Sequence, residues 1–192
     1  YMDGTTDITR TYPLGPLTED EKRFYTWTLQ SHIDLAKAVW LDYCECKMID
    51  TIAREPLWRH LINYRCGTGH SVSFVGNVHE GPHSLRGTNS VLMRPGMVIT
   101  DEPGVYETDL VGIRIENELV CVHKADNQYG TFLGFEPLMF VPIATSPILP
   151  GVLDKDEIAW LNDYHRQVFA KLAPHLNDEA VSYTHLTLPT IR

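Results

Sequence analysis

From residue 97 to residue 142 the chain is cut into strand-length runs by turn residues, and helical periodicity is confined to the sequence on either side. Residues 97–100 form a short apolar run stopped by Glu102-Pro103-Gly104. Residues 112–122 alternate Ile113 and Ile115 against Arg114 and Glu116, the two-residue period of a strand with unlike faces. Residues 135–142 give a third run. Ahead of these, Thr18 and Glu21 have the spacing of a capping box, and Phe24, Trp27, Leu35, Val39 and Trp40 follow at roughly helical intervals. A second helix is expected over 48–61, with Pro56 at a break or kink. A long amphipathic helix is expected over 154–175, with Ile158, Leu161, Val168 and Leu172 on one side. Asp154, Asp156 and Glu157 would form its acidic first turn, complementing the helix dipole. Strands in the middle with helices outside describe one α+β domain.

The charge balance narrows what such a domain binds. Sixteen Lys and Arg stand against 25 Asp and Glu, a formal charge of −9. That acidity argues against a nucleic-acid groove and against an anionic membrane surface, both of which need clustered positive charge. Apolar runs fall short of the roughly 18 residues that span a bilayer. The four cysteines, Cys44, Cys46, Cys66 and Cys121, make no CxxC pair, which reads as reduced thiols in a cytoplasmic protein. His83, His123 and His175 read as solvated surface histidines, and Trp27, Trp40 and Trp58 as core or helix-packing residues.

Both ends are unusual. Residues 1–15 read as strand, turn and strand around Asp3-Gly4, with little of the first arm present, so the chain is expected to be truncated there. Residues 181–192 follow no period of the preceding helix and resemble the translation of a transposon adapter used in sequencing libraries. They are expected to be foreign to the fold.

Four side chains in strand or turn contexts are competent to hold a metal: Asp7 in TTDITR, His70 in GTGH, Glu102 in DEPG and Glu116 in IRIEN. Three carboxylates and one imidazole suit Mn, Fe, Co or Zn. Carboxylates brought together repel and raise one another's pKa unless a cation compensates. Each also has an ordinary structural reading: Asp7 as a turn residue, His70 as a buried core histidine, Glu102 as a turn acid before Pro103, Glu116 as the ion-pair partner of Arg114.

Together, GTGH at 67–70, NVHEGP at 77–82, PGMVITDEPG at 95–104 and GIRIEN at 112–117 resemble the catalytic domain of Xaa-Pro aminopeptidases. These are the aminopeptidase P branch of the pita-bread metallopeptidases. DGTTDITR at the start, FEPL at 135–138 and WLNDYH at 160–165 resemble the long, three-domain form. The resemblance implies a partial pita-bread domain over 1–142 and a C-terminal extension with a long helix over 143–180. It implies two divalent ions, Mn2+ first with Zn2+ or Co2+ as alternatives. Asp7 and Glu116 would bridge them, while His70 and Glu102 bind one. His79 would contact substrate and stabilise the tetrahedral intermediate, Glu102 would handle a proton, Arg114 would orient carboxylates, and Tyr106 would line the substrate pocket. The implied substrates are peptides with proline in second position, and the implied assembly of the full-length protein is a homodimer. NVHEGP, GIRIEN and FEPL fit this branch better than the methionine aminopeptidases.

Several positions depart from the family pattern. A further aspartate that chelates the second ion would precede Tyr1, leaving that site incomplete in this chain. Cys66 replaces a histidine, Ser71 and Ser73 replace glycines, and residues 41–47 replace a turn rich in Pro and Gly. The non-catalytic domains that precede the catalytic one are absent from this sequence, so weak or no activity is expected of the chain alone. These departures keep a second reading open, a pita-bread scaffold that binds proteins without catalysis.

Overall fold

A computed structural model describes residues 2–181; the segment 182–192, which carries nearly all of the suspected adapter sequence, lies outside the described residues. In chain order the elements are α1 (Glu19–Ala36), β1 (Val39–Leu41), α2 (Cys46–Trp58), β2 (Gly69–Ser71), β3 (Glu80–Leu85) and β4 (Val98–Asp101). β5 (Gly104–Glu107), β6 (Val111–Arg114), β7 (Asn117–Asn127), β8 (Gly130–Pro137) and α3 (Lys155–Leu172) follow, and a single 3-10 turn, Ala173–His175, closes the set. β1, β8, β7 and β4 form an antiparallel sheet in that order, and β2–β3 and β5–β6 form two separate ribbons.

α1 starts where its capping box places it. Thr18 Oγ1 accepts the Glu21 N–H at 3.3 Å, and Glu21 Oε2 accepts the Thr18 N–H at 2.7 Å. Its packing face differs from expectation. α1 stops at Ala36, so Val39 and Trp40 belong to β1, and Tyr25, Leu29, Ile33 and Leu35 carry the buried contacts. The helix is covered on several sides: Thr26, Thr28, Ser31 and His32 are buried too. Thr26 and Thr28 meet their hydrogen-bonding needs on the Lys22 and Phe24 carbonyls at 2.7 Å.

Two cores flank α1. One joins it to α2 and the sheet through Leu35, Trp40, Ile49, Ile99, Leu119 and Phe135. The other joins it to β6 and α3 through Leu29, Ile33, Ile113, Ile115, Leu161 and Val168. α3 begins at a second capping box, Asp154 with Glu157. Burial of its core face, not isolated helix propensity, supplies most of the stability of such a segment.

Several expectations give way to local causes. The opening hairpin is absent among the described residues; instead the chain runs beside β6, with Thr11 Oγ1 accepting the Arg114 N–H at 3.1 Å. Residues 112–122 are two strands, because the Glu116 N–H leaves the ladder to donate to Thr9 O at 3.0 Å; β6 then pairs with β5, and β7 with β4 and β8. β8 begins at Gly130 rather than 135 because residues 127–130 close a tight hairpin, with Gly130 at φ 135°. It ends at Pro137 because the 139–142 segment turns away to meet Arg10. Pro56 lies inside α2, which ends two residues later. His83 is buried rather than solvated, its Nε2 2.8 Å from Val98 O. Trp58 is 44% exposed rather than a core residue.

His165 on α3 gives a stability prediction. It is 3% exposed, its Nε2 accepts the Ile143 N–H at 3.1 Å, and burial pushes its pKa down to about 4. The unfolded chain therefore takes up a proton first. This contribution is intact above about pH 6.5 and is lost as pH falls toward the folded value. Urea unfolding at pH 7 and pH 5 should show the native sequence losing on the order of 1 kcal/mol more than His165→Gln. Equal losses would refute the assignment.

Candidate metal centre

His70 sits on β2, and the residue before it explains how it is held. A Cβ on Gly69 would lie 1.8 Å from Thr100 O, so only glycine lets β2 press against β4. The His70 N–H then donates to Thr100 Oγ1 at 3.0 Å. Ser71 O lies 3.1 Å from Nδ1, which assigns the ring proton there and leaves the Nε2 lone pair free. Gly69→Ala should force β2 off β4, lowering the unfolding midpoint by the equivalent of roughly 1–3 kcal/mol. Differential scanning calorimetry checks it; an unchanged midpoint would rule out the close approach.

His70 Nε2 faces Glu102 Oε1 at 3.2 Å and Asp7 Oδ2 at 3.5 Å. Glu102 leads the turn after β4. Its Oε1 accepts from Thr100 Oγ1 at 3.2 Å, and its Oε2 is gripped by Arg114 Nη1. Arg114 is held in turn by Tyr106, whose hydroxyl accepts the Nε–H at 2.8 Å. Arg114 therefore pairs with Glu102, not with Glu116 as the ordinary reading of Glu116 supposed. Tyr106 is 56% exposed.

Glu116 occupies the break between β6 and β7, turned inward and 1% exposed. Thr9 Oγ1 donates to its Oε2, while its buried Oε1 has no hydrogen-bond partner. Burial first, then the charges of Asp7 and Glu102, push its pKa up to about 7. Ligand atoms of Asp7, His70 and Glu116 all lie within 4.8 Å of one another. A free imidazole lone pair, a partnerless Glu116 oxygen and the Asp7 carboxylate converge on one point, with Glu102 against His70, and all are acceptors. Such a donor set fits a divalent cation and little else. His79 is exposed at the rim, its ring centroid 4.2 Å from that of His70.

The sequence reading missed three contributors. Glu118 is 4% exposed and accepts the Asp7 N–H at 2.7 Å. Its signal was available, since residues two apart on a strand share a face and Glu116 was already singled out. Thr9 and Thr100 orient carboxylates through hydroxyls, for which no sequence signal exists. Behind this cluster, His32 Nδ1 lies 3.1 Å from Asp101 Oδ2, both fully buried. A cleft of about 400 Å³, walled in part by Asp3, Gly4, Phe74 and Glu118, opens beside this cluster.

Residues 1–123 match the family model for metallopeptidase family M24, and residues 131–190 that for the C-terminal region of peptidase M24. The chain belongs to metallopeptidase family M24. Curated relatives of this M24 chain include aminopeptidase P2 of Arabidopsis thaliana, 44% identical over 92% of this chain and 26% of its own length. Aminopeptidase P1 of Lotus japonicus is 42% identical over 94% of this chain and 28% of its own length. Among solved structures, an X-prolyl aminopeptidase from Caenorhabditis elegans, described as a cytosolic enzyme with a di-nuclear active site, superposes with a TM-score of 0.92. It is 35% identical, and the match covers all of this chain and 32% of that one. The prolidase of Pyrococcus furiosus, 28% identical, matches 72% of this chain and 38% of its own with a TM-score of 0.61. The fold is the pita-bread fold of the family. The M24 chain spans about a quarter to a third of the length of these aminopeptidases. No described helix is long and apolar enough to cross a membrane.

Proposed function

We propose that the protein carrying this chain hydrolyses the N-terminal Xaa-Pro bond of peptides, with Asp7, His70, Glu102 and Glu116 as ligands of divalent cations, Mn2+ first. The observation that carries this reading is the convergence of Asp7, His70 and Glu116 within 4.8 Å, with Glu102 against His70, in an M24 chain related to aminopeptidases P. When bound, the cations supply Lewis-acid polarisation of the scissile carbonyl and a lowered pKa for the attacking water. Asp7 and Glu116, whose ligand atoms lie within 4.8 Å of each other, would be the carboxylates that hold the cations jointly.

The chain's own groups then divide the remaining work. Glu102, oriented by Thr100 on Oε1 and Arg114 on Oε2, receives the water's proton and delivers it toward the departing proline nitrogen. His79, exposed beside His70, donates to the carbonyl oxygen as negative charge develops there. Tyr106 fixes Arg114 and borders the pocket for the N-terminal residue. A proline-specific enzyme answers a chemical need, because the Xaa-Pro amide lacks an N–H and has a fixed φ. The C. elegans relative's cytosolic setting and four free cysteines support a cytoplasmic location, and a homodimer is the assembly we assign to the full-length protein. Ser71 and Ser73, which left a non-catalytic scaffold open, are buried without displacing His70, and Ser71 contributes the carbonyl that orients it.

The test is hydrolysis of an Xaa-Pro-Xaa tripeptide by the full-length protein with Mn2+, against an Xaa-Ala-Xaa control and a Glu102→Ala variant. Release of the first residue only from the proline peptide, lost in the variant and on chelation, is expected. Metal-independent turnover, or none, would overturn the proposal.

A further inference from the structure

Arg10 stands three residues after Asp7, and its guanidinium reaches three separate parts of the fold. Nη1 donates to Thr9 O at 2.8 Å and to Glu116 O at 2.5 Å. Nη2 donates to Asn117 Oδ1 and Val141 O at 2.7 Å and to the Tyr164 hydroxyl at 2.8 Å. Nε donates to Val141 O at 3.2 Å and Pro142 O at 3.1 Å. These acceptors are all neutral oxygens, so the side chain is placed by shape and donor geometry, with no carboxylate in hydrogen-bond contact.

Two of those acceptors belong to the candidate site. Thr9 and Glu116 are the two ends of the hydroxyl–carboxylate bond that holds Glu116 Oε2, and Arg10 takes the backbone carbonyl of each. The other end of the fork rests on α3. Tyr164 is 1% exposed, stacks on Trp160 with centroids 5.3 Å apart, and its hydroxyl accepts the Val141 N–H at 3.2 Å. The C-terminal region is thus joined to the backbone of a ligand through one planar group. Only a guanidinium can span this arrangement; a lysine has one nitrogen and cannot reach all three parts at once.

We propose that Arg10 is a positioning residue for the metal centre, coupling α3 through Tyr164 to the backbone that presents Asp7 and Glu116. This rests on the metal-centre reading above. Arg10 touches neither the reacting atoms nor a ligand side chain, so its effect appears as ligand geometry. Outer partners of metal ligands commonly set affinity by about 10–100-fold.

The test uses Arg10→Lys and Tyr164→Phe in the full-length protein, with Val168→Ala as control. Val168 is fully buried in the same helix and core as Tyr164 but is not an Arg10 acceptor. Co2+ and Mn2+ affinities are measured by calorimetry, and the ligand field by visible absorption of the Co2+ form. Arg10→Lys should weaken both ions by about 10–100-fold and alter the Co2+ spectrum. Tyr164→Phe should do so by roughly 5-fold, the equivalent of one neutral hydrogen bond. Val168→Ala should lower the thermal midpoint while affinity and spectrum stay native. Should Arg10→Lys fail to fold, Tyr164→Phe against Val168→Ala decides in the same way. Native affinity and spectrum in the two test variants, or equal weakening in Val168→Ala, would overturn the proposal while leaving the metal centre intact. A native protein that binds neither ion would overturn both readings.

Discussion

Glu116→Gln should raise the stability of the metal-free protein and abolish the stabilisation that metal confers on the native one. The carboxylate is buried beside Asp7 and Glu102, with one oxygen lacking a partner and a pKa pushed up to about 7. A group whose pKa is raised on folding contributes stability below its unfolded value, near pH 4.5, and loses it as pH rises through the folded value. At pH 7.5 without metal the native side chain therefore opposes folding. Glutamine has the same shape, can still accept from Thr9, and carries no charge, so a gain on the order of 1–2 kcal/mol is expected. With metal the sign reverses. A ligand that binds only the folded state at about 1,000 times its Kd adds roughly 4 kcal/mol, and the variant, short of a carboxylate ligand, forgoes it. Thermal unfolding with EDTA and with saturating Mn2+ reads both effects. A variant less stable than the native protein in EDTA, yet showing the native upward shift with Mn2+, would contradict the placement of Glu116.

His79→Ala should separate catalysis from metal binding. The ring lies at the exposed rim with its centroid 4.2 Å from His70, near enough to meet a substrate carbonyl. Loss of one donor to a developing oxyanion costs about 10²–10³ in kcat. Because that interaction strengthens only as charge builds, KM for the tripeptide should change little while kcat and kcat/KM fall together. Metal content by atomic emission should match the native protein. A variant with native kcat, or one that has lost its metal, would show that His79 does not act on the substrate.

How much was legible in advance depended on whether the deciding interaction was local. α1 and α3 begin where Thr18 and Asp154 can accept from the first turn, contacts spanning three residues. β4 was readable as a short apolar run before Glu102-Pro103. β2 and β3 were not. GHS and EGPHSL carry glycine, proline and serine in place of the usual strand formers, and what seats β2 against β4 is a close approach to the Thr100 carbonyl that only Gly69 admits. The division of 112–122 depends on Thr9, a partner 107 residues away from Glu116. The four candidate ligand positions stood out as metal-competent side chains in strand and turn contexts, with a structural reading open for each, and the resemblance then favoured the metal reading. The network behind them joins positions as distant as Arg10 and Tyr164, or His32 and Asn117, and a buried polar side chain has no local signature of the partner that satisfies it.

The most direct test of the account is anomalous diffraction from crystals of the full-length protein grown with Mn2+. The account predicts a peak at coordination distance from Asp7, His70, Glu102 and Glu116, with Arg114 still gripping Glu102. A peak held by other residues, or none near these four side chains at saturating metal, would contradict it.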